Sequence, residues 1–210
     1  MRNFAIDGKS ISVFSAVQTE APIIYLNTFA NEGQRVFEVA QVVGCPPFSL
    51  VAISSLDWNL DMAPWDSPAA FKKGEPFTGG ADDYLRLLVE EIIQEAEKEL
   101  LGPPAWRGIA GYSLAGLFAL CAVYQTDVFS QVGCMSGSLW FPGFKEYVFF
   151  HDLRHTFATV ALQSGVDVKT VSAMLGHYDA GFTLRTYTHT NRRMQETAAE
   201  KMGNFMAQVL

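Results

Sequence analysis

The hydrophobic pattern of this chain changes near residue 148, and this change limits the folds available to it. Before that point, short apolar runs typical of strands alternate with longer segments typical of helices. After it, apolar residues recur at helical spacing, and the pattern indicates helices without strands. We therefore predict two domains, residues 1–147 and residues 148–210, and expect them to have different origins.

The composition changes at the same place. Residues 1–147 contain 9 Lys and Arg against 17 Asp and Glu, whereas residues 148–210 contain 6 against 5. All 4 histidines fall after residue 148 and all 4 tryptophans before it. One evolved domain rarely divides its residue types so sharply, so the composition supports a join. The net charge of −7 argues against a simple nucleic-acid-binding protein, which is usually basic.

The first part predicts an α/β fold with a mostly parallel sheet. Its predicted strands lie at 11–17, 23–26, 48–53 and 106–112, and its predicted helices at 82–101 and 114–124. Strands separated by helices pair in parallel, and helices then cover both faces of the sheet. A long polar and aromatic connection, residues 56–80, interrupts the alternation.

A serine motif lies where a predicted strand meets a predicted helix, in the sequence Gly-Tyr-Ser-Leu-Ala-Gly at residues 111–116. Small neighbours allow a tight strand-to-helix turn that lifts the serine hydroxyl clear of the sheet. The motif predicts Ser113 as a nucleophile and the N–H of Leu114, at a helix N-terminus, as an oxyanion donor. A second donor is expected in the loop at residues 27–29.

Three segments of the first part, residues 25–28, 110–118 and 136–141, resemble the core of the putative esterase family of α/β hydrolases, which includes enterochelin-esterase-like enzymes. The resemblance covers roughly residues 1–147. It implies an incomplete three-layer α/β-hydrolase sandwich, with Ser113 acting on a carboxylic ester. Strands expected after Trp140 are missing, which leaves an unpaired sheet edge.

A serine hydroxyl is a weak nucleophile unless a histidine accepts its proton. In the α/β hydrolases the acid and the histidine follow the nucleophile, beyond the point where the resemblance ends. Residues 1–147 contain no histidine. A general base would have to come from the second part, from His151 or His155.

The second part predicts a small all-α segment, with helices at 151–164, 167–175 and 190–209. It also carries four candidate active-site residues in this order along the chain: His151, Arg154, His177 and Tyr187. Phosphodiester cleavage by a tyrosine needs a phenol nucleophile, cations on the phosphate oxygens and proton donors. Arg154 suits the bidentate phosphate contact, and the two histidines suit hydrogen bonds to the phosphate.

Together with residues 156–159 and 165–171, this set resembles the phage and transposon integrases, the tyrosine recombinases. The resemblance implies that Tyr187 is the nucleophile that links to DNA, with Arg154, His151 and His177 in its active site. It implies more structural roles for the two remaining histidines, and it makes the last helix a segment that docks onto a neighbouring protomer. The family's first catalytic arginine and its β-hairpin lysine would precede His151, where hydrolase sequence stands instead.

Both sites are therefore expected to be incomplete. We expect a fusion of a truncated esterase-like domain with a recombinase fragment, derived from a mobile element and inactive in both chemistries. The alternative is a carboxylic ester hydrolase that uses Ser113 with a borrowed histidine. We expect weak DNA contact through the second part, a small ester as ligand of the first, and neither a metal ion, a cofactor nor a membrane.

The expected location is the cytoplasm. The N-terminal residues lack the apolar region of a signal peptide, and no apolar run reaches the length of a membrane span. The 3 cysteines lie in apolar surroundings without metal-binding spacing, so we expect buried free thiols.

Overall fold

The computed structural model describes residues 1–70, 74–148, 158, 160–162 and 165–175. The chain forms two compact units, Met1–Pro142 and Gly143–Leu210. The join near residue 148 is an inference about the origin of the sequence and stays a prediction.

The first unit is built on a six-stranded mixed sheet with the strand order β1-β2-β4-β3-β7-β8. A short antiparallel pair, β5 and β6, lies apart from it. The strands are β1 (Arg2–Ile6), β2 (Lys9–Phe14), β3 (Ile23–Asn27), β4 (Ser49–Ser54), β5 (Asp66–Ser67), β6 (Phe77–Thr78), β7 (Arg107–Tyr112) and β8 (Gln131–Met135). The adjacent strands β4, β3, β7 and β8 run parallel, and β1 and β2 add an antiparallel hairpin at one edge. The predicted mostly parallel sheet is confirmed.

The helices of the described residues are α1 (Gly33–Val42), α2 (Trp58–Asp61), α3 (Ala81–Leu87), α4 (Ile93–Glu97), α5 (Leu114–Gln125) and α6 (Val168–Leu175). A π-helical turn, Leu88–Ile92, joins α3 to α4, so the predicted helix at 82–101 exists but ends at Glu97. The predicted helix at 114–124 is confirmed as α5. Among the residues the structure describes, no helix has the length and apolar character needed to cross a bilayer.

Helices cover both faces of the sheet, as expected for a three-layer α/β-hydrolase sandwich. On one face, Phe37 of α1 packs against a buried cluster to which β4 contributes Leu50 and Ala52. Ala110 packs against the same cluster, whereas the following residue, Gly111, faces Ala115 of α5. Because successive strand residues point to opposite faces, α1 and α5 lie on opposite sides of the sheet.

Six elements of this unit were not predicted: β1, α1, β8 and, within the connection at residues 56–80, the short α2, β5 and β6. The turn between β1 and β2 is Asp7-Gly8, and both residues have positive φ, 45° and 74°. Asp-Gly between two apolar runs is the strongest short-range signal for a hairpin, so β1 was readable from the sequence. The helix α1 follows from topology, because parallel pairing of β3 with β4 requires a crossover connection.

The described residues of the second unit contain helices whose ends have sequence signals. Gly165, at φ 87°, donates to the carbonyl of Leu162, and Val166 donates to the carbonyl of Ala161. These bonds form a Schellman motif, which ends the preceding helix where the glycine predicts. Asp167 then caps α6, as predicted. The buried side chains of Ala158, Val171 and Leu175 form the cluster between these helices. The predicted helix at 190–209 and most of that at 151–164 lie outside the described residues.

The prediction of three buried thiols is wrong for one cysteine. Cys121 is buried in α5 and Cys134 is half-buried, but Cys45 is exposed. Cys45 lies in the loop after α1, next to two exposed prolines, so its apolar neighbours in sequence do not cover it.

Candidate active site

Ser113 occupies the tight turn between β7 and α5. Its backbone has φ 55° and ψ −119°, a region that non-glycine residues rarely adopt. Backbone strain of this kind persists only where the surrounding structure enforces it, and it is concentrated at functional sites. The conformation is that of a nucleophile elbow, in which the serine hydroxyl is lifted above the carboxyl edge of the sheet.

Two glycines make the elbow sterically possible. A Cβ atom on Gly111 would lie 2.3 Å from the carbonyl carbon and oxygen of Ala115. A Cβ atom on Gly116 would lie 3.0 Å from the Gly111 oxygen and 3.1 Å from the Gly137 Cα. The first turn of α5 therefore passes directly over the end of β7. Because Gly116 has no side chain, it permits this close approach, although it comes one residue later than the usual glycine of the motif.

Backbone hydrogen bonds tie the elbow to the segment that follows β8. The Ser113 N–H donates to the carbonyl of Met135 at 3.0 Å. The Ser113 carbonyl accepts from the N–H of Ser138 at 3.0 Å and from that of Leu117 at 3.2 Å. The position of Ser113 is thus determined by two neighbouring strands and the helix start.

The N–H of Leu114, predicted as an oxyanion donor, is the first amide of α5. The first amides of a helix have no acceptor within the helix, and the helix dipole favours negative charge beside them. The position is therefore suited to the predicted role, which stays a proposal.

The structure excludes one of the amides that could be the second oxyanion donor predicted in residues 27–29. The Thr28 N–H and hydroxyl both donate to the Ile53 carbonyl, at 2.8 and 2.9 Å, so this amide is already used.

Asn27 is buried, and its Oδ1 accepts from the Tyr84 hydroxyl. Burial, with a smaller effect of the Asp61 carboxylate, raises the pKa of Tyr84 well above its ordinary value, which keeps this hydroxyl a donor. The Asn27 Nδ2 is buried and has no partner among the described residues.

The Ser113 hydroxyl lies 3.3 Å from the hydroxyl of Ser138, which is buried. Ser138 was not identified from the sequence, because 25 residues separate the two serines and only the pairing of Tyr112 with Met135 brings them together. A hydroxyl can orient another hydroxyl but is too weak a base to remove its proton. None of the residues described by the structure is a histidine.

A cleft of about 230 Å³ opens beside the two serines. Its lining is mainly aromatic and small, with one carboxylate: Trp58, Asn59, Ala70, Gly74, Glu75, Phe77, Ser113, Leu114, Ser138 and Trp140. An apolar cleft next to a serine predicted to be a nucleophile suits a small ester or acyl group. Within the described part of the chain, no cluster of three His, Cys, Asp or Glu side chains is arranged to hold a metal ion.

The residues predicted for DNA chemistry, His151, Arg154, His177 and Tyr187, lie outside the described residues. The same is true of His155, which was considered as a borrowed base for Ser113. Their roles stay predictions.

Comparison with known proteins finds two kinds of similarity in this chain. The model of the Phage integrase family matches residues 135–194. The tyrosine recombinase XerC-like protein of Caldanaerobacter subterraneus subsp. tengcongensis is 40% identical over 55 residues, which are 26% of this chain and 14% of that protein. Residues 135–147 are matched by the Phage integrase model and also belong to the predicted hydrolase part.

Two further proteins each match about 70% of the chain. The protein YbbA of Bacillus subtilis (strain 168) is 24% identical over 151 residues, 69% of this chain and 60% of YbbA. The solved structure of an IroE-like serine hydrolase from Shewanella oneidensis superposes with a TM-score of 0.57 at 23% identity, covering 70% of this chain and 51% of the hydrolase. Identity at this level shows the fold alone.

The chain spans only part of each protein it matches, so their complete activities do not transfer to it directly. Most of the chain has the incomplete α/β-hydrolase fold seen in the IroE-like serine hydrolase, and residues 135–194 are similar to the phage integrase family of tyrosine recombinases, which is consistent with a chimera.

Proposed function

We propose that this chain is a fusion remnant that retains the nucleophile of a serine esterase and part of the active site of a tyrosine recombinase, without turnover in either chemistry. The observation that carries the proposal is the environment of Ser113. Its hydroxyl is positioned in an elbow, but the described side chain within hydrogen-bond reach is another hydroxyl, that of Ser138.

We expect ester hydrolysis to be very slow because the first part of the chain lacks a histidine that could act as general base. Removing the histidine of a serine triad costs roughly 10⁶ in kcat, because the serine then attacks without a proton acceptor. Residues 1–147 supply no histidine. The elbow, the Leu114 amide and the cleft would still bind an ester, so we expect binding without efficient acyl transfer.

The recombinase active site is also expected to be incomplete, because catalytic residues of that family are missing. Tyr187, Arg154, His151 and His177 match recombinase positions, but hydrolase sequence stands where that family has its first catalytic arginine and its lysine. Cations on the transferring phosphate supply much of the rate enhancement in phosphoryl transfer. We therefore expect no recombination by this chain alone, although the C-terminal segment retains a relation to DNA integration.

Hydrolysis of a short-chain p-nitrophenyl ester tests the first half of the proposal. The full chain is expected to match its Ser113→Ala variant, with both at the rate of buffer. A Ser113-dependent rate would favour the second candidate, an ester hydrolase with a borrowed histidine. In that case His151→Ala or His155→Ala should remove the activity, and the rate should rise with pH through the histidine range near 6.5.

A nicked suicide DNA substrate tests the second half. We expect no covalent protein–DNA adduct on a denaturing gel with the full chain. An adduct that disappears in Tyr187→Phe would contradict the proposal and would show that the fragment retains strand-cleavage chemistry.

A further inference from the structure

The cleft beside the two serines has aromatic walls whose rings make contacts outside the cleft. The aromatic lining consists of Trp58, Phe77 and Trp140. The rings of Phe77 and Trp140 pack against Phe141, with ring centroids 5.0 and 6.3 Å apart, and Phe141 is only 2% exposed. Trp58 contacts the ring of Phe29 edge-on at 5.2 Å. These contacts restrict the rings before a ligand enters, which lowers the entropy cost of binding.

The charges around the cleft have opposite signs at two of its groups. Glu75 is the only charged side chain among the lining residues that the structure describes, and it is exposed to solvent. The amide of Leu114 begins the 12-residue helix α5, whose dipole favours negative charge beside it. A ligand that suits both groups has a carbonyl oxygen for the Leu114 amide and a positive charge for the Glu75 carboxylate.

The aromatic side chains strengthen the preference for a positive charge. The faces of Trp, Tyr and Phe rings carry partial negative charge and attract ammonium groups, and clusters of such rings recognise quaternary ammonium ligands. An anionic ligand would instead meet the Glu75 carboxylate and the electron-rich rings. Residues 1–147 carry a net charge of −8, so the field of this part of the chain also attracts cations.

We propose that the cleft binds small esters that carry an ammonium group, and that it prefers them to neutral esters of the same shape and to anionic esters. The proposal names the ligand class of the esterase-like site and rests on the proposed function, in which the cleft binds an ester without turnover. The cleft volume of about 230 Å³ restricts the ligand to a small one, because pockets for drug-sized molecules measure roughly 300–1,000 Å³.

NMR titration of the full chain with three small esters tests the proposal. The probes are acetylcholine, its uncharged isostere 3,3-dimethylbutyl acetate and the anion of monomethyl succinate. The first two have the same shape, so the ratio of their Kd values isolates the effect of the charge. We expect millimolar binding of acetylcholine, about fivefold to tenfold weaker binding of the isostere and no measurable binding of the anion.

The variant Glu75→Gln tests the contribution of the carboxylate. It should weaken acetylcholine binding about threefold and leave the Kd of the isostere unchanged, since only the charge is lost. Glu90→Gln is the matched control, because Glu90 is exposed on the π-helical turn and does not line the cleft. This control removes the same charge from the chain, and it should leave the preference for acetylcholine unchanged.

The variant Trp140→Leu tests the contribution of the aromatic wall. Trp140 is 58% exposed, so its replacement should leave the chain folded. Leucine keeps an apolar contact but has no π face, so the preference for acetylcholine over the isostere should fall. Trp106→Leu is the control: Trp106 is 40% exposed and directly precedes β7, at the opposite end of that strand from Ser113, and its substitution should have no effect.

Equal binding of acetylcholine and its isostere, or no binding of acetylcholine, would overturn the proposal. A preference that survives both Glu75→Gln and Trp140→Leu would overturn it as well. Tighter binding of the anion would also do so and would point to Lys72 and Lys73, which lie outside the described residues. Release of choline that depends on Ser113 would instead contradict the proposed absence of turnover, and it is measured separately from the Kd values.

Discussion

Ser113 is held by its backbone more than by its side chain. Its N–H and C=O bond to residues of the β8 segment and of α5, while its hydroxyl contacts the Ser138 hydroxyl at 3.3 Å. The strained φ of 55° is therefore enforced from both sides. At the residue scale, the site is a serine held in the conformation of a nucleophile elbow, with no histidine among the described residues to act as its general base.

Gly111→Ala tests how tightly the elbow is packed. The added Cβ would meet the Ala115 backbone at 2.3 Å, and neither β7 nor α5 can move without disturbing the sheet. We expect a loss of about 3 kcal/mol in the free energy of unfolding, measured by urea denaturation. Gly102→Ala is the control, because its Cβ would be 3.8 Å from Thr19, an ordinary contact. Similar stability of the two variants would contradict this account of the elbow.

The ion pair between Lys9 and Asp61 provides a second test at this scale. Its atoms lie 2.6 Å apart, with side-chain exposures of 13% and 7%. Lys9→Met would leave the Asp61 carboxylate buried with the Asp57 N–H as its described hydrogen-bond donor. We expect a loss of about 3 kcal/mol in thermal or chemical denaturation, since removing one partner leaves an uncompensated charge.

The exposed pair Arg86–Asp83 is the matched control for Lys9. Its side chains are 64% and 80% exposed, so Arg86→Met should cost less than about 0.5 kcal/mol. Equal losses in the two variants would mean that burial of the Lys9 pair is unimportant.

At the scale of elements, the ends of helices and strands are set by short local signals. Asp167 accepts from the N–H groups of Lys169 and Thr170, both at 3.0 Å, and so caps α6. The hydrogen bonds from Thr170 come first among the interactions that lower the pKa of Asp167. The end of β1 is likewise set by adjacent residues, the Asp7-Gly8 turn with its positive φ angles.

Substitution of Asp167 should loosen the start of α6. Asp167→Ala is expected to speed hydrogen exchange at the Thr170 amide, whereas Asp167→Asn should keep most of the protection because asparagine also caps helices. Exchange that is equally slow in both variants would argue against capping.

The pH dependence of this cap has a defined sign. The folded-state pKa of Asp167 is lowered, so its stabilising effect is complete above the unfolded value near 3.9 and is lost as the pH falls through the folded value. An NMR titration of the Asp167 carboxyl should therefore give a pKa below 3.9, and a value above it would contradict the contact.

At the scale of the whole molecule, charge limits what the recombinase segment can do. Residues 1–147 carry a net charge of −8 and residues 148–210 a net charge of +1. Duplex DNA binding draws most of its nonspecific affinity from lysine and arginine contacts to phosphates. The hydrolase part therefore opposes any DNA contact made by the segment joined to it.

We expect weak binding of the full chain to duplex DNA, with Kd above about 100 µM near physiological salt, the weak end of nonspecific binding. Fluorescence anisotropy with a labelled duplex, at two salt concentrations, measures this. Micromolar binding with a steep salt dependence would show that the C-terminal segment concentrates its positive charge more effectively than its net charge indicates.

The sequence by itself determined the alternation of strands and helices, the elbow motif and the start of α6. These depend on residues close together in the chain, such as Gly111 beside Ser113 or Asp167 before Val168. The six-stranded order of the sheet and the pairing of Ser113 with Ser138 were decided by the tertiary structure. Each joins residues far apart in sequence through strand register, and a one-dimensional pattern does not specify which strands become neighbours.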